Sequence, residues 1–120
     1  MESRDLVVLV TYGIDHELSS AALTIALGGM TAGLRVAIFL TSSGVDIVRK
    51  GAAATTHVKP LEPLAEMLAS FIARGGTLWA RTPCVKSRGY EQKDLIEGVV
   101  ITGASVMHER IKQGAATLSF

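Results

Sequence analysis

Leu6-Val7-Val8-Leu9-Val10 is the stretch on which the fold turns. Five consecutive aliphatic residues, with no polar alternation, suit a strand covered on both faces, as in a parallel sheet flanked by helices. The residues that follow complete that pattern. Thr11-Tyr12-Gly13 leaves the strand, Asp15 is placed to cap a helix, and Leu18, Ala21, Ala22 and Ile25 recur at helical spacing between His16 and Thr31. Leu23, Leu27 and Met30 widen the apolar surface, which predicts burial on more than one side, within the domain or against another subunit. Gly28-Gly29 weakens an isolated helix and so predicts close packing at that point, and Gly33 ends the helix.

The alternation continues outward from this unit. Leu34 to Leu40 reads as a second strand, with Thr41-Ser42-Ser43-Gly44 as the loop at its end and a short helical stretch over Val45 to Arg49. Gly51 to Lys59 is rich in small residues and fits an exposed loop or a mobile lid equally well. Leu64, Met67, Leu68, Phe71 and Ile72 then form an apolar helical stripe, opened by Pro63 and closed by Gly75-Gly76. Thr77-Leu78-Trp79-Ala80 is a third strand, followed by Arg81-Thr82-Pro83-Cys84 and a single helical turn near Val85 to Gly89. Val99-Val100-Ile101 is a fourth strand. Thr102 is placed to cap a helix over Gly103 to Gln113, with Ala104, Met107 and Ile111 facing inward, and Ala115 to Phe120 is the last strand. Strands alternating with helices predict a parallel sheet in a three-layer α/β/α domain, because parallel connections need crossovers. A chain of 120 residues fits one such domain, spanning 1–120.

Composition narrows the function classes. The chain is 48% hydrophobic but only 5% aromatic, so its core is aliphatic. Its 12 basic and 11 acidic residues leave a charge of +1, which argues against a nucleic-acid footprint. The Leu6 to Val10 run is too short for a signal peptide, and Ser19 to Gly33 falls short of a membrane span, which predicts a cytoplasmic protein with no membrane contact. Tyr12-Gly13 and Ser42-Ser43-Gly44 suit a small anion held by backbone amides, but neither matches a dinucleotide or Walker-type loop, and no cofactor is expected. His16, His57 and His108 lack the spacing of a metal motif.

In parallel sheets functional groups gather beyond the carboxyl ends of the strands. Of the loops there, at Tyr12–Asp15, Thr41–Gly44, Thr82–Ser87 and Thr102–Ser105, the third alone holds a strong nucleophile, Cys84. A single cysteine forms no internal disulfide, which suits a reducing compartment. No acidic residue lies between Glu66 and Glu91, whereas Arg74, Arg81, Lys86 and Arg88 all fall there. Lys86 and Arg88, with the N–H groups of a helix starting beyond Cys84, are the groups placed to stabilise a thiolate or persulfide, while Arg81 alternates toward another face. An inert, buried small hydrophobe is the competing reading of the same residue. His16, just beyond the first strand, has the best topological claim as a general base; Tyr12, Ser43 and Gly44 are further candidate neighbours.

These pieces, in this order, resemble the DsrE/DsrF-like family of small sulfur-relay proteins, which includes TusD-type members. The resemblance is carried by the first strand and Ala-rich helix, by Val36-Ala37-Ile38-Phe39-Leu40-Thr41 before Gly44-Val45, and by Cys84 with Arg88-Gly89 beyond it. It extends through Gly98-Val99-Val100-Ile101-Thr102-Gly103 to Ala115-Ala116-Thr117-Leu118-Ser119-Phe120. It implies a five-stranded parallel sheet, assembly as a homo-oligomer (trimer or hexamer), and a Cys84 that takes sulfane sulfur from a donor protein and passes it to an acceptor protein. Some relatives carry a second nearby cysteine; this chain does not, so a two-cysteine cycle within one chain is not expected. Two other functions compete: a non-catalytic oligomeric module binding a small ligand or a protein, and a redox-sensing thiol.

Overall fold

The computed structural model describes residues 4–120. Five strands, β1 (Asp5–Val10), β2 (Arg35–Leu40), β3 (Thr77–Arg81), β4 (Val99–Thr102) and β5 (Ala116–Ser119), form one sheet in the order β4-β3-β2-β1-β5. Every pairing is parallel. The helices are α1 (Glu17–Thr31), α2 (Leu64–Ala73), α3 (Thr82–Ser87) and α4 (Ser105–Lys112). Together they make the three-layer α/β/α arrangement of a parallel five-stranded sheet.

The pleat divides the aliphatic strands between two cores. Leu6, Val8, Val10, Val36, Ile38 and Leu40 point to one face, where Ala22, Leu23 and Ala26 of α1 and Leu64, Met67 and Phe71 of α2 cover them. Val7, Ala37, Phe39 and Trp79 point to the other, against Val106 and Met107 of α4. At about 25 cal/mol per Å² of apolar surface, the larger first core is the main source of stability. Trp79 packs edge-on to Phe39, with ring centroids 6.4 Å apart, and carries the Arg110 guanidinium 5.1 Å above its ring.

Several expected boundaries move. His16, not Asp15, caps α1: its Nδ1 accepts the Leu18 N–H at 3.1 Å. Thr102 ends β4, and α4 starts from Ala104 with no side-chain cap. Of the inward set on α4, Ala104 and Met107 pack on the sheet, whereas Ile111 is exposed. Only the second glycine of Gly28-Gly29 packs closely: a Cβ at Gly29 would sit 3.0 Å from Leu6 Cδ2, while Gly28 has nothing within 4 Å. Within Gly51 to Lys59, Ala53–Thr55 forms a 3-10 turn and the remainder is loop. Leu18 and Ile25 of α1 are exposed in the single chain.

Candidate functional site

The site is assembled by the β2–β3 pairing. Register sets Leu40 beside Ala80, so the segments leaving these strands emerge side by side at the carboxyl edge of the sheet. After β2 the chain enters one 3-10 segment, Ser42–Val48, in place of the expected loop and separate helix. Its first residue, Ser42, adopts φ 54°, the left-handed region, which is unfavourable for a side-chain-bearing residue. Two residues on, Gly44 lies so close to the Val10 carbonyl that a Cβ there would clash with backbone. Glycine is therefore required by close approach, and it pins the segment to the end of β1.

After β3 there is no turn before a helix. Thr82 opens α3 directly, Pro83 takes its first turn, where its missing N–H has no partner to lose, and Cys84 lies inside the helix. The expected helix start beyond the cysteine, with its N–H groups facing the sulfur, is thus corrected. The N–H that reaches the sulfur comes from the start of the 3-10 segment after β2. Ser42 donates its backbone N–H to Cys84 Sγ at 3.1 Å, and the Thr41 hydroxyl lies 3.7 Å from the same atom.

The charge that acts on the thiol is that of Arg81, whose Nη1 also reaches Thr41 Oγ1 at 3.5 Å. This corrects the expectation that Arg81 alternates away. Partial burial alone would push the Cys84 thiol up, but the Ser42 N–H, the Thr41 hydroxyl and the Arg81 charge outweigh it, and the pKa lies below the ordinary thiol value. Thiolate character, the requirement for nucleophilic sulfur, is therefore favoured.

Arg88 braces the site from the other side. Its Nη1 donates to the Cys84 carbonyl at 3.3 Å and its Nη2 to Ser43 Oγ at 3.5 Å, while its Nε pairs with Asp46 at 3.2 Å. Tyr90 donates its hydroxyl to the same Asp46 carboxylate at 2.6 Å. Arg88 thus ties α3 to the 42–48 segment, touching the cysteine's backbone. Lys86 is exposed on α3, and its side chain makes no hydrogen bond or ion pair among the described residues.

Tyr12, His16 and Ser43 line a neighbouring cleft of about 420 Å³ with Gly13 and Asp46. Tyr12 stacks on His16, with centroids 3.9 Å apart. Ser43 is the bridge between this cleft and the thiol, through Ser42 on one side and Arg88 on the other. With its Nδ1 committed to the α1 cap, His16 is held away from service as a base through that atom. His57 Nε2 is 2.8 Å from the Leu61 carbonyl, and His108 is exposed on α4, across the sheet. Among the described residues, no three His, Cys, Asp or Glu side chains gather as metal ligands, and no helix is long and apolar enough to cross a membrane.

Sequence reasoning missed two contributors, Arg81 and the Thr41 hydroxyl. Arg81 carried a weak signal, as the last residue of a strand adjacent to the cysteine segment. Ser42 acts through its backbone amide, in the Ser42-Ser43-Gly44 stretch expected to hold an anion, but on the cysteine's own sulfur. In doubly wound sheets the ligand crevice lies where strand order reverses, here between β1 and β5. Thr11 spans that point by donating both its N–H and its hydroxyl to the Phe120 carbonyl, at 3.1 and 2.9 Å. The thiol sits instead over β2 and β3.

A sequence profile of the DsrE/DsrF-like family matches residues 4–120, and the chain belongs to that family. It is 30% identical over 105 residues to an uncharacterized protein, MJ0989, of Methanocaldococcus jannaschii, covering 88% of this chain and 86% of that protein. An uncharacterized protein of Methanopyrus kandleri, MK0008, is 32% identical over 96 residues, covering 80% of this chain and 74% of that protein. Among solved structures, MTH1491 from Methanobacterium thermoautotrophicum, a protein of unknown function, superposes with a TM-score of 0.74 at 20% identity, over 98% of this chain and all of that one. The ychN protein from E. coli superposes with a TM-score of 0.73 at 23% identity, over the full length of both chains. These structures share the fold.

Proposed function

We propose that this DsrE/DsrF-like protein is a sulfur carrier that holds sulfane sulfur as a persulfide on Cys84. One observation carries the reading: Cys84 Sγ receives the Ser42 N–H from a residue held in a left-handed conformation, beside the Thr41 hydroxyl and the Arg81 charge. Backbone strain of this kind persists where surrounding structure enforces it, and it gathers at functional sites. The same groups suit a persulfide, which is also an anionic sulfur acceptor of hydrogen bonds.

The chemistry needs no oxidant. The Cys84 thiolate attacks the outer sulfur of a donor persulfide; the Sγ–S bond forms as the donor S–S bond breaks, and the electron pair leaves with the donor thiolate. The proton of the outer sulfur travels with it. An acceptor thiolate repeats the exchange in the forward direction and returns Cys84 to its starting state. With Cys84 the only cysteine, no internal thiol competes for the sulfur, and turnover rests on donor and acceptor proteins. Subunit association through the exposed Leu18 and Ile25 of α1, as a trimer or hexamer in the cytoplasm, belongs to the same proposal. Intact-mass measurement after incubation with a persulfide donor tests it: the wild type gains sulfur and Cys84→Ser does not.

A further inference from the structure

Cationic groups continue from the thiol, at the carboxyl edge of the sheet, toward the segment that leads into β4. Arg88 leads through Asp46 to Tyr90, and Tyr90 lines an open cleft of about 390 Å³ with Arg49, Lys50, Lys93 and Asp94. Arg49 and Arg88 both act electrostatically on the Tyr90 hydroxyl, which links the two in the chain of cations. Of the acidic groups along the way, Glu97 is exposed beside Arg49 and Lys50 with no ion pair among the described residues, and the others are engaged internally. Asp46 holds Arg88 and Tyr90, Asp94 accepts the Glu91 N–H at 2.8 Å, and Glu91 pairs with Lys93 at 3.2 Å. Arg49, Lys50 and Lys86 are exposed and have no ion-pair partner among the described residues. Arg81, Lys86, Arg49 and Lys50 are thus cations without an ion-pair partner among the described residues, against Asp94 and Glu97 as the carboxylates without one in the same stretch.

We propose that the basic arc from Arg81 past Cys84 and Lys86 to Arg49 and Lys50 docks an acidic segment of the protein that exchanges sulfur with Cys84, an inference that rests on the sulfur-relay reading above. The cations are strung along successive elements and do not converge on one point, which suits an extended acidic chain over a compact anion. Complementary charge of this kind raises the rate of encounter and selects partners more than it adds affinity.

Thiol–disulfide exchange with charged peptides tests the proposal on the whole protein. Three peptides of equal length carry one cysteine activated as its thiopyridyl disulfide and are otherwise rich in glutamate, glutamine or lysine. Cys84 Sγ attacks the peptide sulfur, the reagent's S–S bond breaks, and the thiopyridyl group leaves with the electron pair, which its absorbance records. The glutamate peptide is expected to react about tenfold faster than the glutamine peptide at low ionic strength, within the range of electrostatic steering. That advantage is expected to vanish near 1 M salt, where the screening length is about 3 Å. The double variant Arg49→Glu/Lys50→Glu removes most of the preference and leaves the rate with neutral dipyridyl disulfide unchanged. Arg49→Gln/Lys50→Gln, which removes the charge without reversing it, replaces that variant should it fail to fold.

Equal rates for the glutamate and glutamine peptides overturn the proposal. So does a preference that survives charge removal at Arg49 and Lys50, or a small anionic disulfide that shows the same preference and the same loss, since that marks a small-anion site. The exchange uses no sulfane sulfur, so its failure leaves sulfur loading of Cys84 standing, and failed loading leaves the exchange result standing.

Discussion

The backbone N–H of Ser42 points at Cys84 Sγ from 3.1 Å, and it does so because Ser42 holds φ 54°. A left-handed residue at the end of β2 therefore supplies the hydrogen bond to a sulfur at the end of β3. Conformation and chemistry can be separated by substitution. Ser42→Gly keeps the N–H and relieves the side-chain penalty, so it leaves the thiol's pH profile in place without lowering Tm. Ser42→Val, β-branched at positive φ, costs about 1–2 kcal/mol of stability in thermal denaturation.

Arg81 and Lys86 divide the local charge unequally. Arg81→Gln raises the Cys84 pKa, seen as a shift of the alkylation rate profile to higher pH, whereas Lys86→Gln leaves the profile nearly where it was. The sign for stability follows from a thiol pKa that is lower in the folded chain. The thiolate's contribution is fully present above the unfolded pKa and is lost as pH falls through the folded pKa. Stability of the wild type relative to Cys84→Ser accordingly rises as pH increases between those two values, and a flat difference across that window contradicts the site's electrostatics.

Two glycines answer alanine in opposite ways. Gly44→Ala drives a Cβ into the Val10 carbonyl and costs about 1–3 kcal/mol or more, with a rise in the thiol pKa as the 42–48 segment shifts. Gly28→Ala meets open space inside α1 and stabilises the chain by about 0.5–1 kcal/mol. Urea titration of both variants checks the pair.

How far the sequence discloses this site depends on which atoms do the work. The aliphatic runs at Leu6–Val10 and Val36–Leu40 announce buried strands because both faces of the sheet are covered. Cys84 is legible as a nucleophile at a strand end. α3 is not, because Thr82-Pro83 serves equally to leave a strand or to open a helix, and contacts with the 42–48 segment decide. Strand order also escapes sequence: the place of β5 beside β1 rests on long-range pairing such as Val7 with Thr117, which no local pattern encodes. Arg81 reads as an outward residue until the register sets it beside Thr41.

Asp46 holds Arg88 and Tyr90 at once, so its removal has two readouts. Its hydrogen bond, with partial burial and its charge, raises the Tyr90 pKa against the opposing effect of Arg49 and Arg88. Asp46→Asn therefore brings tyrosinate formation to lower pH in ultraviolet titration. It also frees Arg88 from its ion pair, and protection of the α3 amides from hydrogen exchange falls.

Leu18 and Ile25 stand exposed on α1 in the single chain. Light scattering is expected to give a mass three or six times that of one chain, as the family resemblance implies, and Leu18→Glu/Ile25→Glu to shift it toward one chain. A wild type of single-chain mass at micromolar concentration contradicts the assembly.

The central claim is that Cys84 carries sulfur, and intact mass tests it most directly. After incubation with a persulfide donor and removal of the donor, the wild type is predicted to gain the mass of one sulfur atom. That gain is lost on addition of an acceptor thiol, and Cys84→Ser gains none. No adduct on the wild type, or an equal adduct on Cys84→Ser, contradicts the account.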